Sequence, residues 1–330
     1  MEIVRMPYSA SANHRSRPRP RWWAELMLIA LVYGAYSAGR LRARGDVSTA
    51  IDNGLAILRV EKALLLNAEH PLNRLFTSTP TLGIPADFAY AALHYLVTPA
   101  ILVWIFRRRS AHYRAARTWL MLSTLLGLVG FTLMPTCPPR LLAAGHGFVD
   151  TMAQYSSYGW WGTEASAPRG LGGMTNQYAA MPSLHVGWAL WCGVLLWRHA
   201  RTPFVKWLGL AYPLAITVVV MGTANHYFLD AVAGAAVMVA GALLTGPALR
   251  ATDRIRATAA ARFPWALPSS RTSHSSPSSP SSRTSPPLSP ETRTPPIVSG
   301  GWETSAGERF PGQRTRTSTS SADDSPATAR

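Results

Sequence analysis

The stretch Tyr178-Ala-Ala-Met-Pro-Ser-Leu-His-Val-Gly-Trp-Ala-Leu-Trp191 sets two polar side chains, Ser183 and His185, at the mouth of an apolar run. A hydroxyl and an imidazole at the lip of a membrane-length helix cost free energy unless hydrogen-bonded or hydrated, so their presence there asks for a function. Pro182 suits a first helical turn, where its missing N–H is no loss, and the helix is expected to begin at about Met181 to Ser183. Its N-terminus then offers unpaired N–H groups and a partial positive charge beside His185, an arrangement that binds phosphate.

Working outward, further apolar windows appear on both sides. Of the 330 residues 48% are apolar, an average diluted by a polar C-terminal stretch, so the distribution decides the class. Windows fall at Trp22–Gly39, Ala86–Phe106, Ala115–Met134, Leu184–Trp197, Phe204–Ala224 and Tyr227–Leu249. Most approach the ~20 residues that cross a bilayer core, and a start at Met181 brings the fourth close to that length. The expectation is an all-α polytopic membrane protein: a six-transmembrane-helix bundle over residues 22–250, a basic disordered lead over 1–21, and a disordered tail over 251–330. The tail is rich in Ser, Thr, Pro and Arg, as in Ser269-Ser-Arg-Thr-Ser-His-Ser-Ser-Pro, and cannot bury enough apolar surface to fold.

The formal net charge of +16 would suggest nucleic acid in a soluble chain, but here the arginines flank apolar runs. Arg15, Arg17, Arg19 and Arg21 precede the first window, Arg107, Arg108, Arg109, Arg114 and Arg117 separate the second and third, and Arg198, Arg201 and Lys206 separate the fourth and fifth. If every window crosses, these segments share one side, which the positive-inside rule makes cytoplasmic, although Arg40, Arg42 and Arg44 run against it. Both termini are then cytoplasmic, and the expected partner is membrane lipid and not nucleic acid. A cleaved signal peptide is disfavoured because removing the first window spoils the parity. The two cysteines, Cys137 and Cys192, have neither disulfide nor metal-site spacing.

Between the first two windows, residues 45–80 read as one or two amphipathic helices, with Ile51, Leu55, Leu58, Ala63, Leu66 and Leu72 at helical intervals. Three prolines in Pro135-Thr-Cys-Pro-Pro-Arg140 end the third span and leave Arg140 at the outer mouth. In the loop that follows, Tyr155, Tyr158, Trp160 and Trp161 read as lipid–water interface anchors. After the fifth window, His226 and Asp230 are four apart, so on a helix they share a face and the carboxylate fixes the imidazole tautomer, with Asn225 as a plausible N-cap. Gly234 and its alanine neighbours allow close approach of another span.

Parity thus brings Arg140, Ser183, His185, His226 and Asp230 to one face. Phosphoryl transfer needs a nucleophile, an acid for the leaving oxygen and positive donors around the non-bridging oxygens, and this set contains each. Pro135–Leu141, Met181-Pro-Ser-Leu-His185 and His226-Tyr-Phe-Leu-Asp230 resemble the three signature motifs of the type-2 phosphatidic acid phosphatase superfamily. The Pro-Ser-Leu-His and His-Tyr-x-x-Asp forms are more similar to its inositol phosphorylceramide synthase branch, an inositolphosphotransferase family. The resemblance implies that His226 is a nucleophile forming a phosphohistidine, Asp230 orients and charges it, His185 protonates the leaving group and later activates the acceptor, and Ser183 and Arg140 hold the phosphate.

Two departures accompany it: Leu133 stands where the commoner pattern has Lys and Val220 where it has Arg, with helix N-termini or Arg169 as candidate replacements. The implied substrate is a lipid phosphate, prenyl diphosphate or phosphoinositide, cleaved at the extracytoplasmic face of a bacterial-type plasma membrane, with water or a sugar-like hydroxyl as acceptor. No cofactor or metal is expected, since no third carboxylate accompanies the histidines. Alternatives are a multi-pass transporter or scaffold without catalysis, or a serine hydrolase using Ser183, which lacks the Gly-x-Ser-x-Gly elbow.

Overall fold

The structure, a computed structural model, describes residues 21–42, 46–161, 169 and 176–262. The expected lead over 1–20, the loop residues 162–168 and 170–175, and the tail from 263 onward lie outside the described residues.

The described residues form α1 (Trp22–Arg42), α2 (Val47–Ala63), α3 (Glu69–Ser78), α4 (Pro80–Arg108), α5 (Ser110–Leu133), two 3-10 turns (Pro139–Leu141 and Ala144–His146), α6 (Thr151–Gln154), α7 (Leu184–His199), α8 (Pro203–Gly222) and α9 (Phe228–Arg262). Each apolar window lies on a helix: α1, α4, α5, α7, α8 or α9. Among the described residues α4, α5, α8 and the part of α9 up to Ala259 are long and apolar enough to cross a membrane. At 1.5 Å per residue, the 16 residues of α7 reach about 24 Å.

The start of α7, expected at about Met181 to Ser183, lies at Leu184. Residues before it are held out of the helix by long-range pairing: Thr136 N–H donates to Tyr178 O at 2.7 Å, Ala180 N–H to Thr136 O at 3.2 Å, and Ser183 N–H to Asp230 O at 2.8 Å. These bonds use backbone groups that a helix would need. Pro182 therefore precedes the helix and Ser183 sits at its N-cap position.

Helix α7 is packed against α8, α9 and α4, while α5 lies against α9 and α4. The α7–α8 contact is close because Gly193 faces Gly209, where an added Cβ would meet the Gly209 carbonyl oxygen at 2.2 Å. Toward the α4–α5 turn the interior is apolar, built from Ile105, Trp119, Trp191, Leu195 and Met238 among others. Its indoles are satisfied by backbone: Trp119 donates to Met238 O at 2.7 Å and Trp191 to Ala116 O at 3.0 Å.

The amphipathic segment forms two helices, and both pack over the bundle. α3 lies on α8 and α4 with Phe76 against Gly222, and α2 reaches α9. Tyr155 and Trp161 are buried and not interfacial: Tyr155 donates to Phe76 O and Thr77 O, and Trp161 to Met152 O at 3.0 Å with its ring edge on Phe88. Their neighbours Tyr158 and Trp160 are exposed. Helix α9 continues through Arg262, so residues 251–262, grouped by composition with the tail, are helical. Asp253 pairs there with Arg114 of α5 at 2.7 Å.

Candidate active site

Three segments distant in sequence converge where α5, α7 and α9 meet. The prolines after α5 free the chain to pair sideways. Cys137 N–H then donates to Ala50 O at 2.9 Å and Arg140 N–H to Ala224 O at 2.9 Å, while Thr136 bridges Ala179. The Arg140 backbone is thus tied to the segment just before His226.

Its side chain is buried as well. Nε donates to Asn225 Oδ1 at 2.9 Å and Nη1 to Asp150 Oδ2 at 2.8 Å. Asn225 is therefore not the N-cap of α9. Its amide orients the guanidinium on one side and donates to Thr223 on the other. Asp150 also caps α6 by accepting from Ala153 N–H, so a carboxylate fixed by its own helix shares the Arg140 charge.

At the head of α7, Ser183 is fully buried and its Oγ has no hydrogen-bond partner among the described residues. The orphan N–H groups of the first turn point the same way as the helix dipole, toward this end. A buried hydroxyl without a partner is unfavourable by about 1–3 kcal/mol. Gly234 of α9 makes the approach possible, since a Cβ there would meet Ser183 O at 2.1 Å. His185 follows on the first turn, its ring stacked on Tyr90 (centroids 4.5 Å, 27°) and edge-on to His94 (4.5 Å, 82°).

His226 lies just before α9, in a reversal made when both Asn225 N–H and His226 N–H return to Val220 O (3.0 and 3.1 Å). The expectation that His226 and Asp230 share a helix face is corrected: α9 begins at Phe228. His226 Nδ1 is 2.8 Å from Ala180 O and 3.4 Å from Asp230 Oδ2. A carbonyl oxygen only accepts, so Nδ1 carries the hydrogen and, in the neutral ring, Nε2 keeps its lone pair. Asp230 Oδ2 accepts instead from Tyr227 N–H at 2.9 Å, the reach-back of a capping box, and its carbonyl holds Ser183. The carboxylate therefore acts on His226 by proximity, with the tautomer set by Ala180.

The two imidazoles that sequence reasoning singled out come together, with ring centroids 5.7 Å apart at 61°. The departures from the motif pattern also find their places. Val220 is buried, Leu133 is 79% exposed at the end of α5, and the Arg169 guanidinium donates to the carbonyls of Ser156, Gly159 and Trp161, which commits it to its own loop.

Sequence reasoning missed Tyr90 and His94 beside His185, Asp150 on Arg140, and two buried acids, Glu61 and Glu69, behind Asp230. A signal existed for the first pair. Asp87, Tyr90 and His94 recur every three to four residues within an apolar window, the spacing of a polar stripe turned to a bundle interior.

A family model described as PAP2 superfamily matches residues 55–244, more than half of the chain, from the second half of α2 to the middle of α9. No curated protein and no solved structure matches the chain.

Proposed function

The chain belongs to the PAP2 superfamily, and on that premise we propose that it is a lipid-phosphate phosphatase or phosphotransferase working through a phosphohistidine on His226. The observation that carries the reading is the 5.7 Å pairing of His185 with a His226 whose Nδ1 is hydrogen-bonded to Ala180 O. Nε2 of His226 attacks phosphorus, the bond from phosphorus to the leaving oxygen breaks, and a protonated His185 gives that oxygen its proton. The neutral His185 then takes a proton from water or a sugar-like hydroxyl. That oxygen attacks phosphorus, the P–N bond breaks, and both rings return to their starting states.

Ser183 Oγ, the first N–H groups of α7 and Arg140 receive the non-bridging oxygens, and Asp230 stabilises the charge that develops on His226. The motif forms around His185 and His226 favour the inositolphosphotransferase-like branch, with a phosphoinositide as phosphoryl donor. In the membrane, α1 and α7 complete six spans with α4, α5, α8 and α9. The flanking arginines put the termini in the cytoplasm and the site at the extracytoplasmic face of the plasma membrane.

The test uses the full chain in vesicles carrying phosphatidic acid, a prenyl diphosphate or phosphatidylinositol, with and without a sugar alcohol, reading free phosphate and new lipid. Phosphoryl release or transfer that disappears in His226→Ala is expected. A folded but inactive protein that moves a solute across the vesicle would favour the transporter, and undiminished turnover in His226→Ala would remove the phosphohistidine.

A further inference from the structure

The motif chemistry leaves two buried acids unused. Glu61 lies in the last turn of α2 and Glu69 opens α3, on either side of the short connection between them, and both are 0% exposed. Glu61 Oε1 accepts from Leu229 N–H at 2.6 Å. Leu229 is the second residue of α9, one before Asp230, so an orphan donor of the catalytic helix's first turn is satisfied by a side chain from another helix.

The other three oxygens of the two acids have no donor from a neighbouring element among the described residues, and the two carboxyls lie within hydrogen-bonding reach of each other. Two buried carboxylates in contact cannot both stay ionised, least of all with fully buried Asp230 next to them. One proton between them resolves this. A protonated Glu61 accepts from Leu229 through its carbonyl oxygen and donates its O–H to Glu69.

We propose that Glu61 and Glu69 are a proton-sharing pair of positioning residues that grip the first turn of α9, and thereby hold Asp230 and His226 in the geometry that phosphoryl transfer uses. The inference rests on the reading of His226 as nucleophile.

The charged and titratable groups facing the pair are Asp230 and Tyr227 at the start of α9 and Lys62 on α2. Burial, then the neighbouring Glu69 and Asp230, push the Glu61 carboxyl up to about 8, against the Leu229 hydrogen bond. Burial also raises Glu69, opposed by its hydrogen bond to Glu61 and by Lys62. A folded-state value raised above the ordinary 4.5 gives stability that is complete below that value and lost as pH rises through about 8. Loss of the proton puts a second negative charge beside Asp230 and loosens the grip on Leu229.

The experiment compares the full-length wild type with Glu61→Gln, Glu61→Ala and His226→Ala in detergent micelles between about pH 6 and pH 9.5, reading lipid-phosphate turnover and the thermal unfolding midpoint. Glutamine reproduces the neutral acid, since its oxygen accepts from Leu229 and its N–H donates to Glu69. The wild-type midpoint is expected to fall as pH rises from 6 to about 8 and to level off above it, while turnover falls by about fivefold or more as pH passes through about 8. Glu61→Gln keeps turnover near neutrality and loses this alkaline limb, whereas Glu61→Ala falls about tenfold across the range.

Superimposable wild-type and Glu61→Gln profiles in both readouts, or wild-type turnover in Glu61→Ala, would overturn the pair's role. If instead His226→Ala is as active as wild type, the catalytic reading has failed, and the thermal midpoints alone decide whether the acids share a proton.

Discussion

Around Trp119 and Trp191 the bundle interior is closed by aliphatic and aromatic side chains, and both indole N–H groups are answered by carbonyls. Around His226 the interior holds Arg140, Ser183, Asn225, Asp230, Glu61 and Glu69, all less than 9% exposed. The first region is assembled from regular helices packed side by side. The second is assembled from helix ends and the turns between them, laced by backbone bonds from 136 to 178, 137 to 50, 140 to 224 and 183 to 230. Buried polar groups need partners in specific directions, and helix ends supply unpaired backbone donors and acceptors that helix middles do not. The contrast assigns stability chiefly to one end and chemistry to the other.

Substitutions at the two ends should therefore separate turnover from folding. The largest effect is expected for Asp230→Asn, which keeps an oxygen for Tyr227 N–H but removes the charge 3.4 Å from His226. Turnover should drop about a hundredfold or more with helix content unchanged by circular dichroism, and wild-type turnover would contradict the role of the carboxylate. Next comes Gly234→Ala, whose Cβ at 2.1 Å from Ser183 O must push apart the backbones of α7 and α9. A loss of about tenfold or more in kcat/KM is expected, and an unchanged value would mean that Ser183 need not stay where it is. Asn225→Ala removes the acceptor of Arg140 Nε and should raise KM for a lipid phosphate about threefold to tenfold while moving kcat less, measured by initial rates.

The smallest effect on turnover belongs to the other end. Trp191→Ala opens the apolar core and removes the indole's bond to Ala116 O, so it should lower unfolding stability by about 3 kcal/mol, read from the thermal midpoint. Turnover per folded molecule should stay at the wild-type level. A selective loss of turnover would show that the two ends are not separable.

The apolar end was nearly all legible in the sequence. Helix periodicity and window length are local properties, and each window lies on a helix. The motif end was legible as a set of residues, because Arg140, Ser183, His185, His226 and Asp230 are unusual where they occur, but its internal bonding was not. Pro182 carries a local signal for a first helical turn. The non-helical course of residues 176–183 instead comes with pairing to Thr136, some forty residues away, which no local pattern encodes. Asn225 has the chemistry of an N-cap and serves as an acceptor for Arg140 because Tyr227 and Asp230 cap α9 between them. Glu61 and Glu69 lie among the charged positions of an amphipathic segment. A period shows which residues share a face, not which face meets an orphan N–H of another helix. Asp87, Tyr90 and His94 show the reverse failing, a polar stripe present in the sequence and overlooked inside an apolar window.

The central claim concerns one covalent bond. Incubation of the full chain with a lipid labelled in its phosphorus, acid-free quenching and peptide mapping reads that bond directly. Label on His226 that is labile in acid, stable in base and absent from His226→Ala is expected. Label on Ser183, or label that persists in His226→Ala, would contradict it.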